Sequence, residues 1–269
     1  MSGEVYFLQD SNMLPSVVQN ACIFTYDWNA NFDKDAEVQT LAGHAVALLN
    51  KLHNLRHKED KFRPIVFVSS CFGGLLLAKA LIEASYAYSK YLEILMATSG
   101  IVFLGTPFRG SHRSFYTAAE LRRVVAMSMG AETSCELLKY LQPSEDDRSE
   151  ELFQSFCRRI DQLPFTIRIV CFYETRQTDF TKIIKDLPPG YKEQLGGETS
   201  GILVPAYSAS LPGAESLGLS VRHGMLNKYA SPEDESFITV STTLEDLAIG
   251  AQTELEDKWG IVPLFLIIE

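Results

Sequence analysis

Cys71, Glu174 and His223 are the residues whose types and order allow covalent nucleophilic chemistry. A cysteine attacks as its thiolate, and a neighbouring histidine can take up the thiol proton. The same histidine can later hand a proton to a leaving group. A carboxylate behind it would fix the tautomer and stabilise the imidazolium. Cys71 follows a short apolar run, Glu174 directly ends another, and His223 lies in a glycine-containing loop beyond a third. Each has a purely structural alternative: a packed core thiol, a carboxylate paired with an arginine, and a surface histidine. Asp27, Asp179 and Asp186 are rival carboxylates.

The stretch that must position Cys71 runs from Arg63 to Leu81. Ile65 to Val68, opened by Pro64, has the β-branched and aromatic content of a fully buried parallel strand. Ser69 to Gly74 is nearly all small residues, as a sharp turn demands. From Gly73 through Leu75, Leu76, Leu77, Ala80 and Leu81 the pattern is that of a helix buried on most sides. Ser69 and Gly73 flank the thiol at two residues' distance, where strand and helix backbones approach closely, and Gly74 extends that approach. The Phe72 amide, opening the helix, would donate to an oxyanion.

Elsewhere, strands are expected at Ala21–Tyr26, Gly100–Gly105, Ile167–Tyr173 and Ile202–Ala206. Helices are expected at Glu37–Leu55, Ala118–Met129, Ser134–Leu141, after a capping box at Ser144–Asp147, and from Ser231 onward. Thr178–Glu198 and Ser208–Ser220 read as loops. His44, His53 and His57 lie on or near the first long helix; with no converging ligands they read as solvated-face residues, and no metal or cofactor is expected. Alternating strands and helices give an α/β fold, a doubly wound and mostly parallel sheet, in a single domain over 1–269.

With 24 basic and 34 acidic residues the formal net charge is −10, so nucleic acid is not an expected partner. Five cysteines without regular spacing point to a reducing compartment, and the expected location is cytoplasmic. The start lacks signal-peptide character, and the Ile261–Ile268 run is too short to be a transmembrane segment.

Five segments carry a family resemblance. Pro64-Ile-Val-Phe-Val-Ser-Ser-Cys-Phe-Gly-Gly-Leu resembles the Gly-x-Ser-x-Gly nucleophile elbow of lipase-like α/β-hydrolase modules. Such modules occur as serine esterases and at the N-termini of fungal NOD-like receptor (STAND) proteins. Phe103-Leu-Gly-Thr-Pro-Phe-Arg-Gly-Ser, Ala21-Cys-Ile-Phe-Thr-Tyr-Asp-Trp, Phe172-Tyr-Glu-Thr and the loop His223-Gly-Met-Leu-Asn-Lys-Tyr-Ala-Ser-Pro-Glu-Asp are similar to further segments of the same modules. The match covers about residues 5–240.

The resemblance implies an α/β-hydrolase-like sheet and the chain order nucleophile, acid, histidine. It also implies a small acyl-ester or thioester substrate, cleaved by a lipase or esterase reaction. A second implication, of a different kind, is a catalytically weakened signalling or interaction module with a protein partner or fused signalling domain. Four residues depart from the pattern: Cys71 replaces the serine, Ser70 the preceding histidine, Phe108 a loop histidine, and Arg222 an aspartate. The family's first strand, ending in His-Gly-Leu-Gly and carrying the second oxyanion amide, has no counterpart here. The fold is therefore expected to be N-terminally incomplete, unless Val5–Leu8 or Ile261–Ile268 fills the place beside the elbow strand.

Overall fold

The computed structural model describes residues 5–56, 63–86, 89–142, 148–180 and 199–265, with side chains to 258. Its strands are β1 (Ile65–Ser70), β2 (Thr98–Leu104), β3 (Arg168–Glu174), β4 (Thr178–Asp179), β5 (Ser200–Gly201) and β6 (Glu215–Leu219). The first three and β6 form a parallel sheet in the order β1-β2-β3-β6, and β4 pairs antiparallel with β5. The helices are α1 (Leu14–Val17), α2 (Leu41–Arg56), α3 (Phe72–Ala84), α4 (Leu92–Ala97), α5 (Arg113–Ser128), α6 (Arg148–Asp161), α7 (Ala206–Ala209), α8 (Glu235–Ala248) and α9 (Ala251–Phe265).

Two-residue alternation sorts the strand side chains into two cores, as a pleated sheet requires. Ile65, Phe67, Ile101, Phe103, Ile169 and Cys171 face one side, where α2, α3 and α6 cover them with Leu49, Leu76, Leu77 and Phe156. Val66, Val102, Leu104, Val170, Phe172 and Leu219 face the other, under Phe237, Val240, Leu244 and Leu247 of α8 and Leu14 of α1. The doubly wound sheet expected from the alternation of elements is present. Among the described residues no helix is long and apolar enough to cross a membrane.

The strand expected at Ala21–Tyr26 does not form. A strand requires ladder partners for its main-chain groups. This segment instead crosses from one face to the other: Ile23 packs on the α8 side, and Tyr26 and Trp28 on the α2 side. Among the described residues neither candidate fills the place beside β1. Residues 7–9 turn, and the late apolar run is the end of α9 as far as Phe265. α9 is held to the sheet by the buried Lys258, whose Nζ donates to the Thr98 carbonyl at 2.6 Å. Among the described residues β1 is therefore an edge. Its residues are half-buried, and Val68 is 38% exposed, where a fully buried strand was expected; β2 beside it is buried throughout.

Two further expectations are corrected on the β6 side. Ser208–Ser220 is not all loop, since Glu215–Leu219 pairs along the whole carboxyl half of β3. Its Glu-Ser-Leu-Gly-Leu sequence has little intrinsic β character, and the exposed backbone of β3 supplies what propensity does not. Gly218 is required there, because a Cβ would stand 2.8 Å from Thr175 Cγ2 and 3.1 Å from the Tyr173 ring. Ile202–Ala206 is not a strand, and the N–H of Val204 goes instead to the side chain of Glu174.

Helix bounds also shift. The first long helix begins at Leu41 and leaves Val38 exposed, and the fifth begins at Arg113. Ser134–Leu141 contains only a single 3₁₀ turn, Leu138–Tyr140. The helix expected from Ser231 onward is α8, capped by Asp234, whose carboxylate accepts from the Ser236 and Phe237 amides. The capping box at Ser144–Asp147 and most of the Thr178–Glu198 loop lie outside the described residues.

Candidate functional site

β1 hands over to α3 through one residue, Cys71, and the strain sits on it. Its φ of 50° and ψ of −122° are rare for a residue with a side chain. Cys71 N–H still donates to the Leu104 carbonyl at 2.9 Å, continuing the ladder, while Gly74 N–H donates back to the Cys71 carbonyl at 3.1 Å. The turn is thereby fixed from both sides, and the thiol is half-buried at the carboxyl end of the sheet. Phe72 is the first residue of α3, so its N–H has no partner within the helix and is free to donate.

The close approach behind this turn falls on Gly74. A Cβ there would lie 1.9 Å from Thr106 Oγ1 and 2.7 Å from Thr106 Cβ, and Thr106 is fully buried. Gly73, expected to carry the contact, has nothing within 4 Å. The two glycines should therefore respond oppositely. Gly74→Ala is expected to lose ~1–3 kcal/mol by overpacking. Gly73→Ala is expected to be neutral or to gain up to ~1 kcal/mol by removing backbone entropy. Thermal unfolding of both variants checks this; equal losses would contradict the packing. Ser69, two residues before the thiol, is half-buried with its hydroxyl directed inward.

Glu174 is the last residue of β3, and its side chain is wholly buried. One carboxylate oxygen accepts the Val204 N–H at 2.7 Å, and the other lies 3.2 Å from His223 Nδ1. His223 opens the 3₁₀ turn after β6, with a side chain 10% exposed. Its ring rests on Gly105, where a Cβ would meet Cε1 at 2.8 Å and Nδ1 at 3.0 Å. Gly105 also has φ +62°, so both backbone and space call for glycine. With Nδ1 turned to Glu174, Nε2 is the nitrogen left for Cys71, whose thiol is near enough to act on the charge of the imidazole.

Burial pulls the pKa of His223 down, but the charge of Cys71 and its hydrogen bond, together with the hydrogen bond and charge of Glu174, outweigh it. The result is pushed up to about 10, so the imidazole carries its proton at neutral pH. A protonated imidazole between a thiol sulfur and a buried carboxylate is an arrangement that can stabilise a thiolate.

The three side chains singled out in the sequence thus meet at one place, and Phe72, Ser69, Gly73 and Gly74 surround the turn that presents the thiol. Gly105, Thr106 and Val204 complete the site without having been singled out for it. The Gly-Thr-Pro ending of the β2 segment was the only sequence signal for the first two. Phe72, the residue after Cys71, packs against an apolar cluster of Ala119, Leu138 and Leu141 with Phe32, Phe115 and Tyr116. Phe108 is fully buried against Phe103, at 5.0 Å, and stacks on Phe156.

His44 is corrected: it is 4% exposed, 4.8 Å from the Trp28 ring, and hydrogen-bonded to Gln39. Burial holds its pKa below the usual histidine value. His53 pairs with Glu93 at 2.7 Å, and His57 lies outside the described residues. Among the described residues no three His, Cys, Asp or Glu side chains are grouped to hold a metal ion.

No family model matches the chain. It is 37% identical to Protein SERAC1 of Bos taurus over 91 residues, covering 34% of this chain and 13% of that protein. It is 24% identical to Protein SERAC1 of Danio rerio over 219 residues, covering 81% of this chain and 28% of the relative. The match spans less than a third of the length of either curated relative. Among solved structures it resembles phospholipase PlaB from Legionella pneumophila, with a TM-score of 0.51 and 13% identity, over 86% of this chain and 53% of that one. It also matches the lipase BlEst2 from Bacillus licheniformis, with a TM-score of 0.47 and 18% identity, over 77% and 75% of the two chains. Parallel strand order, two helical layers and the likeness to PlaB agree: the chain has an α/β-hydrolase-like, doubly wound fold.

Proposed function

We propose that the chain is an acyl hydrolase of the lipase or esterase type, cleaving acyl esters or thioesters through Cys71, His223 and Glu174. The observation that carries this reading is the pairing of His223 with the buried Glu174 next to Cys71, at a turn whose backbone is strained. A fold shared with the phospholipase PlaB is in keeping with it.

In this reading the Cys71 sulfur attacks the acyl carbon, and the carbonyl oxygen gains charge facing the Phe72 N–H. His223 donates its proton to the departing group, and an acyl-thioester on Cys71 remains. Water then attacks that thioester while His223 takes up a proton, releasing the acid. Glu174 holds the ring in place throughout. The site is part of a single domain over 1–269, and the five unpaired cysteines suit a cytoplasmic setting.

The test is intact-mass measurement after brief incubation with short-chain acyl esters and thioesters. One acyl adduct is expected on the native chain and none on Cys71→Ala. Absence of any adduct, with turnover no faster than buffer, would remove the enzymatic reading.

A second reading has one observation in its favour. Among the described residues β1 is an edge, and none of the strands described there lies on its outer side to bring a second backbone donor to the oxyanion. Losing one such donor costs ~10²–10³ in rate. A weakened hydrolase fold acting as an interaction module, as in fungal NOD-like receptors, is the function that deficit would favour.

A further inference from the structure

Resting on the acyl-transfer reading above, we infer that Ser208 is a positioning residue for the Glu174–His223 pair, acting through the segment Leu203–Ser208. The β3 backbone fixes where the Glu174 side chain starts, but its partners fix where the carboxylate ends. One carboxylate oxygen accepts the Val204 N–H at 2.7 Å, so the acid is aimed by wherever Val204 stands. Val204 lies in no strand or helix. Its place is set by what clamps the turn that follows it, Pro205 and α7, and that clamp closes on Ser208.

Ser208 is fully buried, and its hydroxyl is used twice. It accepts from the Arg109 N–H at 3.0 Å and donates to the Gly110 carbonyl at 2.6 Å, two roles that a hydroxyl can fill at once. The same loop reaches the segment at further points. Phe108 N–H donates to the Ser208 carbonyl at 3.0 Å, Arg109 Nη1 to the Tyr207 carbonyl at 2.7 Å, and His112 N–H to the Leu203 carbonyl at 2.8 Å. Ser208 N–H donates back to the Pro205 carbonyl at 2.8 Å, so a displacement at 208 is carried towards Val204. At its other end the loop continues from β2, whose Leu104 carbonyl accepts the Cys71 N–H at 2.9 Å. Residues 105–112 thus tie the turn that carries the thiol to the segment that aims the carboxylate, and Ser208 is the joint.

Ser111, on the same loop, shows what a purely structural serine does. It is 3% exposed, and its Oγ donates to the Leu141 carbonyl at 2.9 Å, beside its own N–H at 3.0 Å. The partners of Glu174 are Val204 and His223, and the Ser111 bond leads to neither. Losing Ser208 is different. Because the site is closed to solvent, an alanine leaves the Arg109 N–H and the Gly110 carbonyl without the partner they share. The segment shifts to pair them again, Val204 moves with it, and the carboxylate turns or gives up its donor. The His223 ring, held through Nδ1, then loses the orientation that leaves Nε2 for the thiol.

The experiment measures iodoacetamide alkylation of Cys71 against the exposed Cys22 of the same full chain, in the native protein, Ser208→Ala and Ser111→Ala. All three are compared at a temperature where thermal unfolding shows them folded. Ser208→Ala is expected to lower the Cys71-to-Cys22 ratio by ~10-fold or more, towards the ~10²-fold that a 1 Å misplacement costs, and Ser111→Ala to leave it within ~2-fold. With a short-chain acyl ester, Ser208→Ala should lower kcat by a similar factor while KM stays within ~3-fold, since proton transfer and not binding is disturbed. Should Ser208→Ala not fold, Arg109→Ala tests the clamp from its partly exposed side, removing the Tyr207 bond along with the Glu150 pair. A fall of ~3-fold or more is expected there, and an unchanged ratio would overturn the inference. Equal falls in both serine variants would mean a general loosening of the loop and overturn it too. An unchanged ratio in Ser208→Ala, with Cys71 still ahead of Cys22, would overturn the positioning role and leave the hydrolase reading standing. Cys71 no faster than Cys22 in the native chain itself would overturn both.

Discussion

Glu174→Ala is expected to cost about 3–5 kcal/mol of unfolding free energy, the usual penalty for stripping one partner from a buried ion pair. The carboxylate is wholly buried and serves two donors, so its removal orphans both the Val204 N–H and a protonated His223. The first leaves the 203–204 segment without its anchor to the end of β3. The second leaves a buried cation whose remaining partner is Cys71. Glu174→Gln separates the two, because its amide oxygen still accepts from Val204 while its charge is gone. That variant should lose less, about 1–3 kcal/mol. Urea titrations of the full chain at neutral pH measure both. An alanine variant within ~1 kcal/mol of the native chain would mean that His223 and Glu174 are not paired in solution.

The cost of losing Glu174 also shows why the site was more legible in the sequence than the sheet around it. Nucleophile, acid and base each follow a strand, and strands deliver their last residues to one end of a parallel sheet whatever the intervening loops do. Cys71 and Glu174 were thereby placed by the apolar runs Ile65–Val68 and Ile169–Tyr173. β6 was hidden for the opposite reason: three of its five residues are Glu215, Ser216 and Gly218, and the backbone of β3 is what makes the segment a strand. Ala21–Tyr26 erred the other way, having strand composition but no ladder to join.

His44 could have been read correctly. It lies three residues after Leu41 and four before Leu48, on the stripe that the helix buries, and spacing should have outweighed residue type. The close contact of Gly74 with Thr106 lies beyond sequence, since two adjacent glycines look alike until the second segment is in place. The same holds for β1, whose composition promises burial on both sides while its edge position withholds it.

His223→Gln is expected to abolish the selective alkylation of Cys71 by iodoacetamide, lowering its rate by roughly 10²-fold or more if the imidazole acts as the proton acceptor. In the native chain Cys71 should react ahead of the exposed Cys22. Cys171, whose burial pushes its thiol up to about 12, and Cys157, raised by desolvation, should stay nearly inert. In the variant Cys71 should fall to or below Cys22.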